Sequence, residues 1–361
     1  MTICLIAGAR PNFVKIAPIL RAMRKHEMPV HLVHTGQHYD QQMSGDFFEQ
    51  LRIQAPDINL AVGSGTHIFQ ITEIMRRLEG VFETVNPSIV VVVGDVNSTL
   101  AATLTAVKLG MPTAHVEAGL RSGDRSMPEE INRVIVDGVC DPLFVSEPSG
   151  AKNLSREGIP AERIHNVGNV MIDTLFANIE QARQLDVCNK YGVEAGEFAF
   201  LTLHRPSNVD NKSRLREILR AVNHLAQTIR VLFPLHPRTQ ARIKEYGFEN
   251  EPSLLGFRQL SPCSYLETLG LVDRARLVLT DSGGLQEETT ALRVPCLTLR
   301  DNTERPITIT EGSNQLVGWE FDRLESAIQD TLAGPLRIGR IPDLWDGHAA
   351  ERICATLKRY V

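Results

Sequence analysis

The sequence predicts an α/β protein of two domains, each a doubly wound parallel sheet, and three observations carry that prediction. Short β-rich runs alternate with helix-period segments, the rhythm of βα units. The run "IVVVV" at 89–93 is apolar without alternation, as a strand covered on both faces must be. The rhythm restarts after a polar segment near the middle of 361 residues, a length at which one core usually gives way to two.

Strands are expected in "TICLIAG", "PVHLVHTG", "SIVVVVGD", "PTAHVEAG", "DPLFVSEP" and "RIHNVGN". Between the first two, a helix over 12–25 places Phe13, Ile16, Ala17 and Leu20 on one face by the i, i+3, i+4, i+7 rule. "NSTLAATLTAVKLG" and "PEEINRVIVDG" read as further helices, the second with Glu129 and Glu130 at the positive end of its dipole. A helix near 170–183 and the polar stretch "QLDVCNKYGVEAGE" separate the halves. The second set of strands is "FAFLTLH", "RVLFPLH", "RLVLTDS" and "PCLTLR", and "GHAAERICATLKRYV" forms a last helix.

Composition excludes several classes. The fractions of 43% hydrophobic and 22% charged residues are ordinary for a globular enzyme, and a net charge of -5 spread along the chain predicts neither a nucleic-acid nor an anionic-membrane partner. Cysteines stand singly at 4, 140, 188, 263, 296 and 354, without CxxC or zinc spacing. They read as small core residues in a reducing cytoplasm, and no metal site is expected. "ICLIAG" is too short for a signal segment and lacks a basic leader, and no apolar stretch reaches the length that spans a bilayer, so the protein is expected in the cytoplasm.

In open α/β sheets ligands bind beyond the carboxyl ends of the strands, so polar residues that directly follow apolar runs are the first candidates for a site. Read in order, these are Gly8-Ala9-Arg10-Pro11, Gly94-Asp95, Glu117, His204-Arg205, His236 and Asp281-Ser282-Gly283-Gly284. Taken singly, Asp281 or Ser282 could cap the helix "GLQEETTAL", and Asp95 could brace a turn. Convergence of groups from two domains favours a ligand site. In "DSGG", two glycines let backbone approach a ligand, and the N–H groups and dipole of the following helix favour an anion such as a diphosphate. The spacing is neither GxGxxG nor GK[ST], so neither NAD nor ATP hydrolysis is indicated. Arg10, Lys15 and Arg305 strengthen the anion reading, although Lys15 by itself reads better as a solvated surface charge.

Three carboxylates, Asp95, Glu117 and Glu129, stand where they could meet, with Glu130 the neighbouring competitor of Glu129. Like charges in a partly dry cleft do not all stay ionised, so at least one is expected to have a raised pKa and to exchange a proton near neutrality.

The runs "GARPNFVKIAP", "TGQHYD", "GDVNST", "HVEAGLRSGD", "MPEEINR", "GNVMIDTL", "HRPSN", "LHPR", "DSGGLQEE" and "RDNTERP", in this order from residue 3 to about 318, together resemble the non-hydrolysing UDP-N-acetylglucosamine 2-epimerases. The resemblance implies a glycosyltransferase-B type fold, two Rossmann-like domains facing a central cleft. Residues 1–170 with 345–361 would form the first and 171–344 the second, the last helix returning to the first domain. It further implies a homodimer that interconverts UDP-N-acetylglucosamine and UDP-N-acetylmannosamine without a nicotinamide or other cofactor. The C2 proton would leave together with UDP, giving a 2-acetamidoglucal to which UDP adds back.

Carried over by motif position, Asp95, Glu117, Glu129 and His204 match the catalytic set. Arg10, Lys15, His236, Ser282, Gly283, Gly284, Glu288 and Arg305 would bind the UDP-sugar, with Glu288 on the ribose. Gln37 and His38 of "GQH" are candidates for a second, activator site. The sequence departs from the commoner pattern at Ala9, where threonine is frequent, at Asn12 and Ser207, where glutamate is, and at Asp210, where glycine is. Competing readings are a hydrolysing relative, an epimerase of a modified sugar such as a 2,3-diacetamido uronic acid, a glycosyltransferase on the same fold, and an inactive nucleotide-sugar sensor.

Overall fold

The computed structural model describes residues 2–8, 10–37, 51–334 and 339–360, without the side chains of residues 10 and 11. The chain divides into two compact units, Met1–Ala177 with Asp343–Val361, and Asn178–Pro342. The division falls inside the helix Val170–Gln184.

The first unit is built on β1 (Ile3–Ala7), β2 (Val30–His34), β3 (Ile58–Asn59), β4 (Ile89–Val93), β5 (Thr113–Ala118), β6 (Leu143–Val145) and β7 (Ile164–Asn166). They form one parallel sheet in the order β3-β2-β1-β4-β5-β6-β7. Every residue of β1 and β4 is buried, as their unbroken apolar runs require of strands covered on both faces. On one face, Ile74, Leu78 and Phe82 of the helix His67–Val85 recur at i+4 and pack with Cys4, Ile6, Val90 and Val92. The C-terminal segment closes the unit. Trp345 is buried and donates Nε1–H to the Ser146 carbonyl at 3.0 Å. The Asp173 carboxylate caps the helix Ala349–Leu357 by accepting the N–H groups of Ala349 and Ala350, and burial pushes it up to about 6.

The second unit repeats the plan with β8 (Phe198–Thr202), β9 (Arg230–Pro234), β10 (Arg258–Leu260), β11 (Leu277–Thr280), β12 (Cys296–Thr298) and β13 (Asn314–Leu316), ordered β10-β9-β8-β11-β12-β13 and again parallel. In each unit the strand order reverses once, between β1 and β4 and between β8 and β11. These are the switch points beyond which α/β sheets bind ligands. The strands not expected from the sequence, β3, β10 and β13, are two or three residues long and lie at sheet edges, where no apolar run is needed. Among the described residues no helix is long and apolar enough to cross a membrane.

Candidate functional site

In the first unit the switch point is clamped by Asn12. Its Oδ1 accepts the Gly8 N–H at the end of β1, and its Nδ2 donates to the Val93 carbonyl at the end of β4, at 3.2 and 3.0 Å. An ionised glutamate has no hydrogen to give Val93, which accounts for asparagine here. One turn further along the helix Arg10–Lys25, Lys15 is buried, contrary to the surface reading, and its Nζ pairs with the Glu117 carboxylate. Glu117 itself has φ +73, a conformation rare for a side chain of this size, at a register shift between Val116 and Ala118. Such a bulge re-aims one side chain at the end of a strand.

The carboxylates do not form the uncompensated cluster that the sequence suggested. Arg133, on the helix Pro128–Val139, donates Nε and Nη2 to Asp95 Oδ2 at 3.0 and 2.6 Å, and Nη1 to Glu130 Oε2 at 2.5 Å. Glu130 also accepts the N–H groups of Ser122 and Gly123. Burial works to raise its carboxyl, but these donors and Arg133 outweigh it and hold the group below its ordinary value. Glu130 therefore fastens a loop. Glu129 is half-buried and has no hydrogen bond or ion pair among the described residues.

Behind this edge lies a largely buried network that no strand-end rule could find. His115 of β5 offers Nε2 to the Gly94 carbonyl at 2.9 Å and Nδ1 to Asp137 Oδ1 at 2.7 Å. Oδ2 of Asp137 accepts the Gly119 N–H and Arg121 Nη1 at 3.0 and 2.7 Å. Burial alone would raise Asp137, yet His115 and Arg121 hold it below its ordinary value. The network thus ties together the turns that carry Asp95 and Glu117.

Of the remaining first-unit candidates, Arg10 opens its helix, and its side chain and residue His38 lie outside the described residues. Gln37 is buried. Its Oε1 accepts the N–H and hydroxyl of Ser98, at 3.2 and 2.7 Å.

In the second unit, His204 and Arg205 leave β8 beside Asp281, which leaves β11. Asp281 Oδ1 lies 2.9 Å from His204 Nδ1, and the carboxylate also accepts the N–H groups of His204 and Arg205 and the Asn208 amide. The cap of the next helix is Ser282, whose hydroxyl accepts the Leu285 N–H at 3.5 Å. Pro206 begins the short helix Pro206–Val209 and Arg205 stays extended, as a residue before proline should. Ser207 is exposed in that helix, and nothing in the structure explains its choice. His236 caps the helix Pro237–Glu245 through Nδ1, with its ring centroid 5.7 Å from that of His204.

Gly283 and Gly284 form the first turn of the helix Gly283–Leu292, where N–H groups have no carbonyl partner within the helix. A Cβ on Gly283 would stand 2.7 Å from Arg305 Nη1. That guanidinium cannot easily move, because it is buried between Glu287, at 2.8 Å, and Glu304, at 2.5 Å. Glu304 also takes Arg300 at 2.8 Å and lies 3.8 Å from Arg205. The turn therefore sits among three guanidiniums and two carboxylates, a surplus of positive charge at a helix N-terminus and so a setting for an anion. Glu288 is buried, and its carboxyl is pushed up to about 7 by burial and by Glu287, against a hydrogen bond from Tyr265.

Comparison with known proteins assigns the family and the fold. Residues 21–358 match the UDP-N-acetylglucosamine 2-epimerase family. The UDP-N-acetylglucosamine 2-epimerase of Methanocaldococcus jannaschii is 43% identical over 338 residues, 92% of each chain. The crystal structure of that organism's UDP-GlcNAc 2-epimerase in complex with UDP-GlcNAc and UDP has a TM-score of 0.92, at 42% identity, covering 99% of this chain and 100% of its own. The UDP-2,3-diacetamido-2,3-dideoxy-D-glucuronate 2-epimerase of Pseudomonas aeruginosa is 40% identical over 337 residues, again 92% of each chain. The two parallel sheets and these neighbours identify the fold as the glycosyltransferase-B type. The chain belongs to the UDP-N-acetylglucosamine 2-epimerase family.

Proposed function

We propose that the protein is a non-hydrolysing isomerase that interconverts UDP-N-acetylglucosamine and UDP-N-acetylmannosamine by eliminating UDP and adding it back. One observation carries the reading. The first unit's switch point carries Asp95, paired with Arg133, and Glu117, turned by a left-handed backbone onto Lys15; with Glu129 assigned by motif position, this is more acid-base apparatus than simple glycosyl transfer needs. Removing the weakly acidic C2 proton takes a positioned carboxylate, and returning it to the other face takes a second acid. Asp95, Glu117 and Glu129 supply these groups. The second unit holds UDP: the first-turn amides of Gly283 and Gly284, Ser282, and the guanidinium of Arg305 take the diphosphate, and Glu288 takes the ribose hydroxyls. His204 steadies the departing diphosphate. Arg10 and His236 are assigned to the same ligand by motif position.

Proton NMR of the protein with UDP-N-acetylglucosamine in deuterated water tests this. UDP-N-acetylmannosamine should appear with deuterium at C2. Free N-acetylmannosamine would establish hydrolysis instead, and unchanged substrate would refute the choice of sugar. The comparable identity to the diacetamido-glucuronate epimerase supports a second reading, so that UDP-sugar is the next substrate to offer.

The working protein is a cytoplasmic homodimer in this proposal. All six cysteines are unpaired, which supports a reducing compartment. The helix Pro128–Val139 turns Arg133 and Asp137 inward and leaves Ile131, Val134, Ile135 and Val139 exposed on its other side, an apolar stripe that a second copy would cover. Sedimentation at micromolar concentration should give twice the chain mass, and a monomer would end this part of the proposal.

A further inference from the structure

We propose that Asp281 is a positioning residue that fixes the proton of His204 on Nδ1 and so makes Nε2 the nitrogen that meets the diphosphate. The inference rests on the reading of His204 given above and goes beyond it, because the sequence placed Asp281 at a strand end, as a site candidate or a helix cap, without a role toward His204.

The geometry leaves little choice. Asp281 is fully buried, and its other hydrogen-bonding neighbours are all donors: the His204 N–H at 3.1 Å, the Arg205 N–H at 2.9 Å and the Asn208 side-chain Nδ2 at 3.3 Å. Burial works to raise its carboxyl, but His204 and these N–H groups overcome that and hold it below the ordinary value. An ionised carboxylate has no hydrogen to give, so the 2.9 Å contact requires the hydrogen on Nδ1. The N–H groups of His204 and Arg205 also fix the carboxylate relative to the chain it orients, so the ring is held at both its backbone and its Nδ1.

The consequence for the reaction is specific. With Nδ1 already protonated, a neutral ring presents a bare Nε2, which can only accept. A diphosphate oxygen carries no hydrogen to offer it. His204 therefore assists departure only with a second proton on Nε2, as the imidazolium that Asp281 compensates. In the elimination, the C1–O bond breaks with its electron pair going to the β-phosphate oxygen, which takes the Nε2 hydrogen bond or the proton itself. The C2–H pair forms the C1=C2 bond while a first-unit carboxylate takes the C2 proton. Re-addition re-forms the C1–O bond and returns the proton to Nε2, while a second first-unit acid delivers a proton to the other face of C2, so the proton on Nε2 is conserved over the cycle.

The test begins with the unmodified full chain, labelled with 15N-histidine, in a long-range 1H–15N correlation spectrum on the alkaline side of the His204 titration. A His204→Gln variant identifies the signal among 11 histidines. The neutral ring should bear hydrogen on Nδ1; hydrogen on Nε2 overturns the proposal. This spectrum needs no substrate, so its outcome is separable from failure of the epimerase reading. In Asp281→Asn, the amide oxygen still takes the backbone N–H groups and the NH2 turns to Nδ1, which forces the hydrogen to Nε2. The NH2 facing Nδ1 opposes a second proton, so the ring stays neutral: Nε2 can still donate a hydrogen bond, but the cation is lost. Turnover should then fall roughly 10²-fold, the low end of what losing one preorganised stabiliser costs, with UDP affinity changed less than about threefold. Turnover within tenfold of the parent, or equal losses in turnover and UDP affinity, would also overturn it.

Discussion

Removing the Asp137 carboxylate tests the claim that a buried network, rather than local turn preference, holds the edge of the first sheet. Asp137 receives hydrogen from His115 Nδ1 and the Gly119 N–H, both buried, and from Arg121 Nη1, which is partly buried. Asp137→Ala strands these donors and the Arg121 cation together, and breaking such a buried pair costs about 3–5 kcal/mol. Asp137→Asn differs in a calculable way. Its oxygen can still serve Gly119 and Arg121, while its NH2 donates to His115 Nδ1, leaving the ring hydrogen on Nε2 for Gly94. Only the charge assistance is lost, about 1.5–3 kcal/mol. Two tryptophans allow the first unit to be followed alone: Trp345 is buried there, and Trp319→Phe silences the second unit. Urea unfolding read by Trp345 emission in that background, with the m-value checked for constancy, gives both numbers. An alanine variant costing less than about 1 kcal/mol, or an asparagine variant as costly as alanine, would refute the network as the agent.

Two further outcomes follow from the charged groups. Lys15→Met removes the partner of Glu117, so turnover should fall by about 10²-fold or more while UDP affinity stays within about threefold; an equal loss of UDP affinity would make Lys15 a phosphate ligand instead. Glu288 has a folded value of about 7 against an ordinary 4.5, so its contribution to stability is full below 4.5 and is lost as pH rises through about 7. Hydrogen exchange in β8–β13 should show the second unit weakening over that window in the parent and not in Glu288→Gln. If ribose hydroxyls need the ionised form, UDP binding near pH 6.5 should release a proton, read by calorimetry in two buffers, and the Gln variant should release less.

Strand-end reasoning found both edges because in a parallel α/β sheet the chain must turn polar where each buried strand stops. "IVVVV" and "FAFLTL" announce their own ends, so Asp95 and His204 were legible. The partners were not. Lys15 lies far along the chain from Glu117, and Asp137 meets His115 through a helix–strand packing that no local spacing encodes. Arg133 could have been found, since it stands three residues after Glu130 on one helix. The pairing of Asp95 with Arg133 and of Glu117 with Lys15 was not foreseen because the argument counted anions and could not see the cations folded beside them. The edge strands β3, β10 and β13 were missed because pairing on one side asks little of two or three residues.

The two units solve opposite electrostatic problems on one topology. At the first switch point Asp95, Glu117 and Glu130 face Lys15 and Arg133, leaving negative charge in excess. At the second, Arg205, Arg300 and Arg305 face Glu287 and Glu304 beside a helix N-terminus, leaving positive charge in excess, with His204 and Asp281 a pair of their own. Partial compensation is the common device. A fully unpaired cluster of either sign would cost several kcal/mol to bury, and a fully neutral one would have no field left for a ligand. Fixing the surplus at about one or two charges, on side chains already tied down by partners, keeps each edge stable when empty and polarised when filled. That arrangement suits proton transfer at the first edge and anion binding at the second, without requiring either set to reorganise as charge moves during reaction.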